Sequence, residues 1–154
     1  MPRTGICLAL VMAVSPVISG ATRGSGQKTK LEFYQGKVVS LADHLGKSGI
    51  KLDADAAPYW FALVTEDNKV YPLIKDTGAR MFFKDAKLLN RPMRLTGRLQ
   101  PGTTLLQVIN VHSIKNGQLH EVFYWCDICT IRSSELDICD CCGGPVELRE
   151  PPLK

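Results

Sequence analysis

The stretch LLNRPMRLTGRLQPGTTLLQVINVHSI, residues 88–114, decides how this chain is read. From Met93 to Leu99 the residues alternate. Met93, Leu95 and Leu99 fall on one face, and Arg94, Thr96 and Arg98 on the other. Successive side chains of a strand point to opposite faces, so the pattern predicts a half-buried β-strand. QPGT, residues 100–103, supplies a turn. Thr104 to Ile114 is rich in β-branched and apolar residues and predicts a partner strand.

Upstream, the period changes. Met81, Phe82, Asp85, Leu88 and Leu89 include spacings of three and four, which predicts a short helix or helical turns within 78–90, closed before Pro92. YWFALVT, residues 59–65, is the strongest strand signal, and it is apolar on both faces. EDNK turns the chain, and VYPLI, residues 70–74, returns as a third strand. Pro72 lacks an N–H, which places that strand at an edge or on a bulge. LEFYQGKVVSL, residues 31–41, predicts the first strand, bent at Gly36. Residues 42–58 carry two glycines, three aspartates and a proline, and read as loop with a helical turn near Leu41 to Leu45. Downstream, Asn116-Gly117 signals a hairpin, and LHEVFYW, residues 119–125, is a sixth strand running into a cluster of cysteines.

Three strands, a helix, two strands and a hairpin make an order that resembles the OB fold, a five-stranded Greek-key barrel with its helix between strands three and four. Residues 88–114 look like the last two strands of small exported bacterial OB-fold proteins. The resemblance spans roughly residues 33–115. It implies a mainly all-β chain. A different small barrel or a sandwich meets the same periodicity, and a fold of this class does not fix a function.

The chain has 154 residues, enough for one domain with a small appendage. Apolar residues make up 45%, and 15 acidic residues offset 19 basic ones for a net charge of +4, which is not the footprint of a dedicated nucleic-acid binder. Residues 1–21 combine Arg3, an apolar run from Ile6 to Val14 and small residues at Ser19, Gly20 and Ala21. That is the pattern of a secretory signal peptide. An uncleaved anchor is the alternative, although the run is short for a bilayer span. Residues 22–30 are polar, basic and glycine-rich and predict a flexible N-terminus. The expected division is therefore a signal peptide (1–21), a flexible segment (22–30), an OB-like barrel (31–115), a hairpin with a Cys-rich metal-binding appendage (116–150) and a tail (151–154). The mature chain is expected outside the cytoplasm, periplasmic or extracellular, with no transmembrane span.

Of the six cysteines, Cys7 lies in the signal segment and five fall between Cys126 and Cys142. Cys126-Asp-Ile-Cys129 and Cys139-Asp-Cys-Cys142 are two half-sites, the second followed by Gly143-Gly144. A Cys-x-x-Cys at the end of a strand turns tightly and aims two sulfurs at one point. Two such turns supply the four thiolates of a closed structural zinc site. The expected ligands are Cys126, Cys129, Cys139 and Cys142, with Cys141 as the alternative if the second half is read as Cys-x-Cys. Iron fits the same donor set. The nine residues between the halves are fewer than the usual ribbon spacing of about 15–20. Arg132 and Arg149 lie near enough in sequence to offset surplus thiolate charge. Export keeps a disulfide reading open, because oxidising compartments favour bridges; five cysteines would then leave one thiol over. Thiol redox chemistry is the third reading, though a reactive Cys-x-x-Cys is best served by a helix N-terminus and this one follows a strand.

Other candidates are thinner. His120 and Tyr124 form a His-x-x-x-Tyr pair similar to the haem-attaching pair of the exported OB-fold haem chaperones, but those lack the cysteine cluster and carry an anchor. A surface histidine and a packing tyrosine explain the pair equally. His44 and His112 read as surface residues. Arg94, Arg98, Lys37 and Lys69 offer a basic patch or a solvated face, and export disfavours nucleic acid as the partner. Asp53 and Asp55 read as loop carboxylates. No phosphate-binding Gly loop, Gly-x-Ser-x-Gly or His-Glu-x-x-His motif is present. The sequence thus predicts a non-catalytic binding or scaffold module with structural zinc. Its partner would be an envelope protein, a glycan or another small ligand. Thiol redox, metal or haem handling, and oligonucleotide binding are the alternatives.

Overall fold

The computed structural model describes Met1 and residues 30–154. The expected signal peptide and flexible N-terminus, Met1 and Lys30 apart, lie outside the described residues, as does Cys7. The first strand, β1 (Glu32–Ser40), serves two neighbours. Its residues 32–37 pair with β4 (Pro92–Leu99), and its residues 36–40 pair with β2 (Phe61–Thr65). The change of partner falls on Gly36. A Cβ there would sit 2.2 Å from the carbonyl oxygen of Val64, so only glycine lets the two strands approach this closely.

The remaining strands are β3 (Val70–Pro72), β5 (Leu106–Lys115) and β6 (Gln118–Glu121), giving an antiparallel sheet in the order β3-β2-β1-β4-β5-β6. Pro72 lies on the edge strand, where its missing donor costs no ladder bond. Past β3 the chain makes one parallel bridge, Leu73 to Leu106, and the Ile74 N–H donates to the Leu106 carbonyl at 3.0 Å. That contact brings the two ends of the β3-to-β5 run together without a continuous ladder; neither sheet closes. The alternation expected in β4 is present: Met93 and Leu95 are buried while Arg94, Thr96 and Arg98 are half-exposed. Asn116 and Gly117 both take positive φ, 52° and 76°, and join β5 to β6 as a tight hairpin. A short helix, α1 (Leu41–Gly46), follows β1 with Ser40 as its cap.

Three expectations change. The strand expected from Tyr59 starts at Phe61, because Pro58 sits in a 3-10 turn, Ala57–Tyr59, and leaves Tyr59 and Trp60 exposed. Ala62 and Leu63 are both fully buried, so the double-sided cover holds in mid-strand. The helix expected within 78–90 is one turn, α2 (Met81–Lys84), then a 3-10 turn, Ala86–Leu88. Asp85 divides them: its backbone is extended, and its carboxylate accepts the Lys87 N–H at 2.9 Å. Finally, the single strand expected over 119–125 is two. Val122 breaks the run, and β7 (Phe123–Cys126) begins a second sheet, β8-β7-β9, with β8 (Ile131–Ser133) and β9 (Glu147–Arg149). Val122, Tyr124 and Cys126 keep the alternation and turn into the core. The Tyr124 hydroxyl donates to the Asp85 carboxylate at 2.8 Å.

One apolar cluster therefore spans both sheets, from Val38, Leu63 and Leu95 to Tyr124, Cys126, Cys139 and Val146. The chain's end is also engaged. Glu121 donates to the Pro151 carbonyl, and Leu153 donates to that of Leu119, so residues 151–153 run beside β6. Among the described residues, no helix is long and apolar enough to cross a membrane.

Candidate metal centre

Strand β7 delivers Cys126 to the edge of the core, where the chain turns back into β8. The turn is a knuckle. The Thr130 N–H donates to the Cys126 carbonyl at 2.8 Å, Thr130 takes a φ of 54°, and the Cys129 N–H points at the Cys126 sulfur at 3.5 Å. The second half-site shares the backbone turn and the positive φ, while its amide–sulfur contact falls on a different pair. The Gly143 N–H donates to the Cys139 carbonyl at 2.8 Å, Gly143 takes a φ of 68°, and the Gly144 N–H points at the Cys142 sulfur at 3.4 Å. Both loops need a left-handed residue directly after the second cysteine. Glycine fills that place at no steric cost in the second loop; β-branched threonine fills it in the first. Thr130 was not legible as a site residue, and its only signal is that it stands where Gly143 stands in the other half.

The two knuckles face each other. The sulfurs of Cys126, Cys129, Cys139 and Cys142 all lie within 4.8 Å of one another, and those of Cys126 and Cys142 are 3.6 Å apart. A disulfide requires about 2.0 Å, and all five cysteines are free thiols. Four sulfurs about 2.3 Å from a common tetrahedral centre would be separated by about 3.8 Å. The donor set and its spacing fit a four-thiolate metal ion. Cys126 and Cys139 are buried, Cys129 is half-buried and Cys142 is exposed, so the centre has an inner wall of protein and an outer rim toward solvent. The exposed Cys141 is left outside the four that converge.

The electrostatics fit the same account. Backbone amides of Cys142 and Cys141 stabilise a thiolate at Cys139 and bring its pKa down to about 7. Cys129 is pushed up, first by the thiols of Cys141 and Cys142 and then by burial. At Cys126 the Cys129 amide pulls downward, but burial and the thiols of Cys139 and Cys142 outweigh it. The neighbouring thiols thus raise Cys126 and Cys129, whereas those of Cys126 and Cys142 help to lower Cys139. A cation at their centre would favour the deprotonated form, which is the form a metal takes.

Arg132 and Arg149 do not serve the thiolates as expected. Arg132 pairs with Glu121 at 2.7 Å and lies 4.0 Å over the Phe123 ring. Arg149 pairs with Asp127 and lies over Trp125. The links from this region to the first sheet come from elsewhere. Glu135 is bridged by Arg80 at 3.0 Å and Lys84 at 2.8 Å, and Lys84 also reaches Asp137. Glu150 is held by Arg91 and by Lys115 at 2.8 Å.

His120 and Tyr124 do not share one strand face. His120 Nδ1 bonds the Glu150 carbonyl at 2.9 Å beside β6, while Tyr124 is buried in β7 against Asp85. His112 is half-buried rather than a plain surface residue, and burial, then Arg94, lowers its pKa. Of the basic patch, Lys69 pairs with Asp67, Arg98 bonds Gln107, and Arg94 lies over Phe33. Lys37 lines a groove of about 580 Å³ with His44, Lys47, Asn68 and Asn90.

Comparison with models of protein families, with characterised proteins and with solved structures gives no match for this chain.

Proposed function

We propose that this protein is an exported, non-catalytic binding or scaffold module whose C-terminal sheet is held by one structural zinc ion. The observation that carries the reading is the convergence of four sulfurs from two matching knuckles within 4.8 Å. Four thiolates with no open position make a closed site, suited to holding structure rather than to activating a substrate. The segment between Cys129 and Cys139 contains only β8 as regular structure, so metal binding there contributes folding free energy. Iron would occupy the same donors.

Residues 31–115 are read as an OB-like barrel. The support is the order β3-β2-β1-β4-β5, the short helical turns between β3 and β4, and the Leu73–Leu106 bridge between the ends of that run. Residues 116–150 are the metal-held extension. Export rests on the charge, apolar run and small residues of positions 1–21. The partner is an envelope protein or a small ligand such as a glycan. Thiol exchange at the same cysteines is less well supported, since Cys126 ends a strand and Cys139 precedes a tight turn; neither opens a helix.

The test is the intact mass of the mature protein under native and denaturing conditions, with thiols counted before and after chelation. One metal ion lost on denaturation, and thiols that react only after chelation, are expected. A mass lacking four hydrogens and no metal would mean two disulfides and would end the zinc reading.

A further inference from the structure

Two grooves of ligand size open on the first sheet, and their polar groups are used differently. The groove between the two sheets, about 680 Å³, is lined by groups the protein already engages. Asp76 accepts from the Gly78 N–H and the Gln107 side chain, Glu121 pairs with Arg132, and the Ser133 hydroxyl donates to the Glu135 carbonyl. The groove of about 580 Å³ beside β1 and α1 is the opposite case. Among the described residues, its Lys37 and Lys47 make no ion pair. The side chains of its Gln35, His44, Asn68 and Asn90 make no hydrogen bond there either. Two ammonium groups, an imidazole and three carboxamides thus line one concavity with their hydrogen-bonding capacity unspent, and Glu66 is the single carboxylate among them.

The frame around these groups is fixed. Lys37 stands in register between Val64 of β2 and Pro92 of β4, which with Val39 supply apolar surface to the groove. Ser40 caps α1, and the Leu41 N–H donates to the Trp60 carbonyl at 2.9 Å, which seats His44 and, one turn on, Lys47. Asn68 belongs to a turn closed by its own N–H on the Thr65 carbonyl at 3.0 Å, and the Asn90 N–H donates to the Val38 carbonyl at 2.8 Å.

We propose that this groove binds an acidic saccharide, the carboxylate of a uronic-acid unit being held by Lys37 and Lys47 and its hydroxyls by Glu66 and the carboxamides. The inference deepens, and rests on, the reading of the protein as a binding module. Two ammonium groups against one carboxylate select an anion. Carboxamides and Glu66 add acceptors beside the donors, which a hydroxyl-rich body needs and a bare phosphate does not. Val39, Val64 and Pro92 suit the C–H face of a sugar ring. No aromatic ring lines the groove, so the stacking surface used by single-stranded nucleic acid is missing. Neither β3 nor the turn at residues 100–103 lines it, which displaces it toward β1 and β4 from the face on which OB barrels commonly bind ligands. Its volume falls within the range of about 300–1,000 Å³ usual for small-molecule sites.

The experiment titrates the full mature chain, isotope-labelled and supplied with zinc, with trigalacturonic acid, maltotriose, inorganic phosphate and a single-stranded oligothymidylate. Binding is followed by backbone amide shifts in two-dimensional NMR. Trigalacturonic acid should move the amides of Lys37, His44, Lys47 and Asn68 saturably, and its affinity should fall as salt is raised. Maltotriose and phosphate should bind at least about tenfold more weakly, since each lacks one half of the match. Lys37→Gln and Lys47→Gln should each weaken binding of the acidic sugar about tenfold without moving the denaturation midpoint, whereas Lys51→Gln, outside the groove, should leave it unchanged. Equal binding of maltotriose or phosphate, tighter binding of the oligonucleotide, or shifts elsewhere on the chain would overturn the acidic-saccharide site and leave a binding module. No saturable shift with any probe would overturn the site and remove the support for a small-ligand role as well.

Discussion

At the residue scale, five cysteines are alike in sequence and unlike in place. Cys126→Ser removes one of the two buried sulfurs among the four that converge. Zinc affinity should fall by more than the roughly 10–100-fold that loss of an outer-shell partner costs, measured by competition with a chelator. Tyr124 is the other decisive residue. Its hydroxyl spends its hydrogen bond on Asp85 inside the core, so Tyr124→Phe leaves a carboxylate oxygen without its donor and should cost about 1–3 kcal/mol in a denaturant titration. Burial first, and Asp85 second, raise the Tyr124 pKa above its ordinary value of 10.0. The stabilisation is complete below that value. It is lost as pH rises from about 10 toward the higher folded-state value, because there only the unfolded chain has released the proton. Wild type should lose stability over that range relative to Tyr124→Phe.

Elements in this fold are set by where the backbone can bend. Strand β1 serves two partners only because Gly36 has no side chain. Gly36→Ala drives a methyl group into the Val64 carbonyl, and a loss of about 2–4 kcal/mol is expected in thermal or denaturant unfolding. The two knuckles differ at their left-handed residue. Thr130→Gly should stabilise the zinc-loaded protein by about 1 kcal/mol, since relief of strain at φ 54° exceeds the added freedom of the unfolded chain. An unchanged or lowered denaturation midpoint would count against strain at that turn. The strands around residues 93–115, the hairpin at Asn116-Gly117 and the edge position of Pro72 were legible because each depends on local periodicity or on one residue's backbone chemistry. The break at Val122 was not legible. Residues 119–126 contain no glycine or proline to mark a break, and the burial of Tyr124 depends on partners distant in sequence, among them Asp85.

At the scale of the whole molecule, the Cys-rich segment shares its interior with the first sheet. Cys126, Cys139 and Val146 belong to the same apolar cluster as Leu95 and Phe82. Metal removal should therefore lower the midpoint of one cooperative unfolding transition, followed by circular dichroism. Two separate transitions would show that the sheets unfold independently. The ion pairs across the junction add a pH dependence. Burial alone would raise the Glu150 carboxyl, but Lys115, Ser113 and Arg91 together hold it below its ordinary value. Because the folded-state value is depressed, its stabilisation is present above the ordinary glutamate pKa and is lost as pH falls through the folded one. The stability difference between wild type and Glu150→Gln should thus shrink as the solution is acidified below about pH 4.

The sequence by itself determined the mainly β character, the turn positions and the two Cys-x-x-Cys half-sites, since each follows from side-chain alternation, from proline and glycine chemistry, or from short-range spacing. Which four of five sulfurs converge was decided only by the tertiary structure. So were the partners of Arg132 and Arg149, the docking of residues 151–153 on β6 and the merging of both sheets around one core. Those features depend on contacts between residues far apart in the chain. Local pattern shows which face of a strand is apolar, but not which distant surface will cover it.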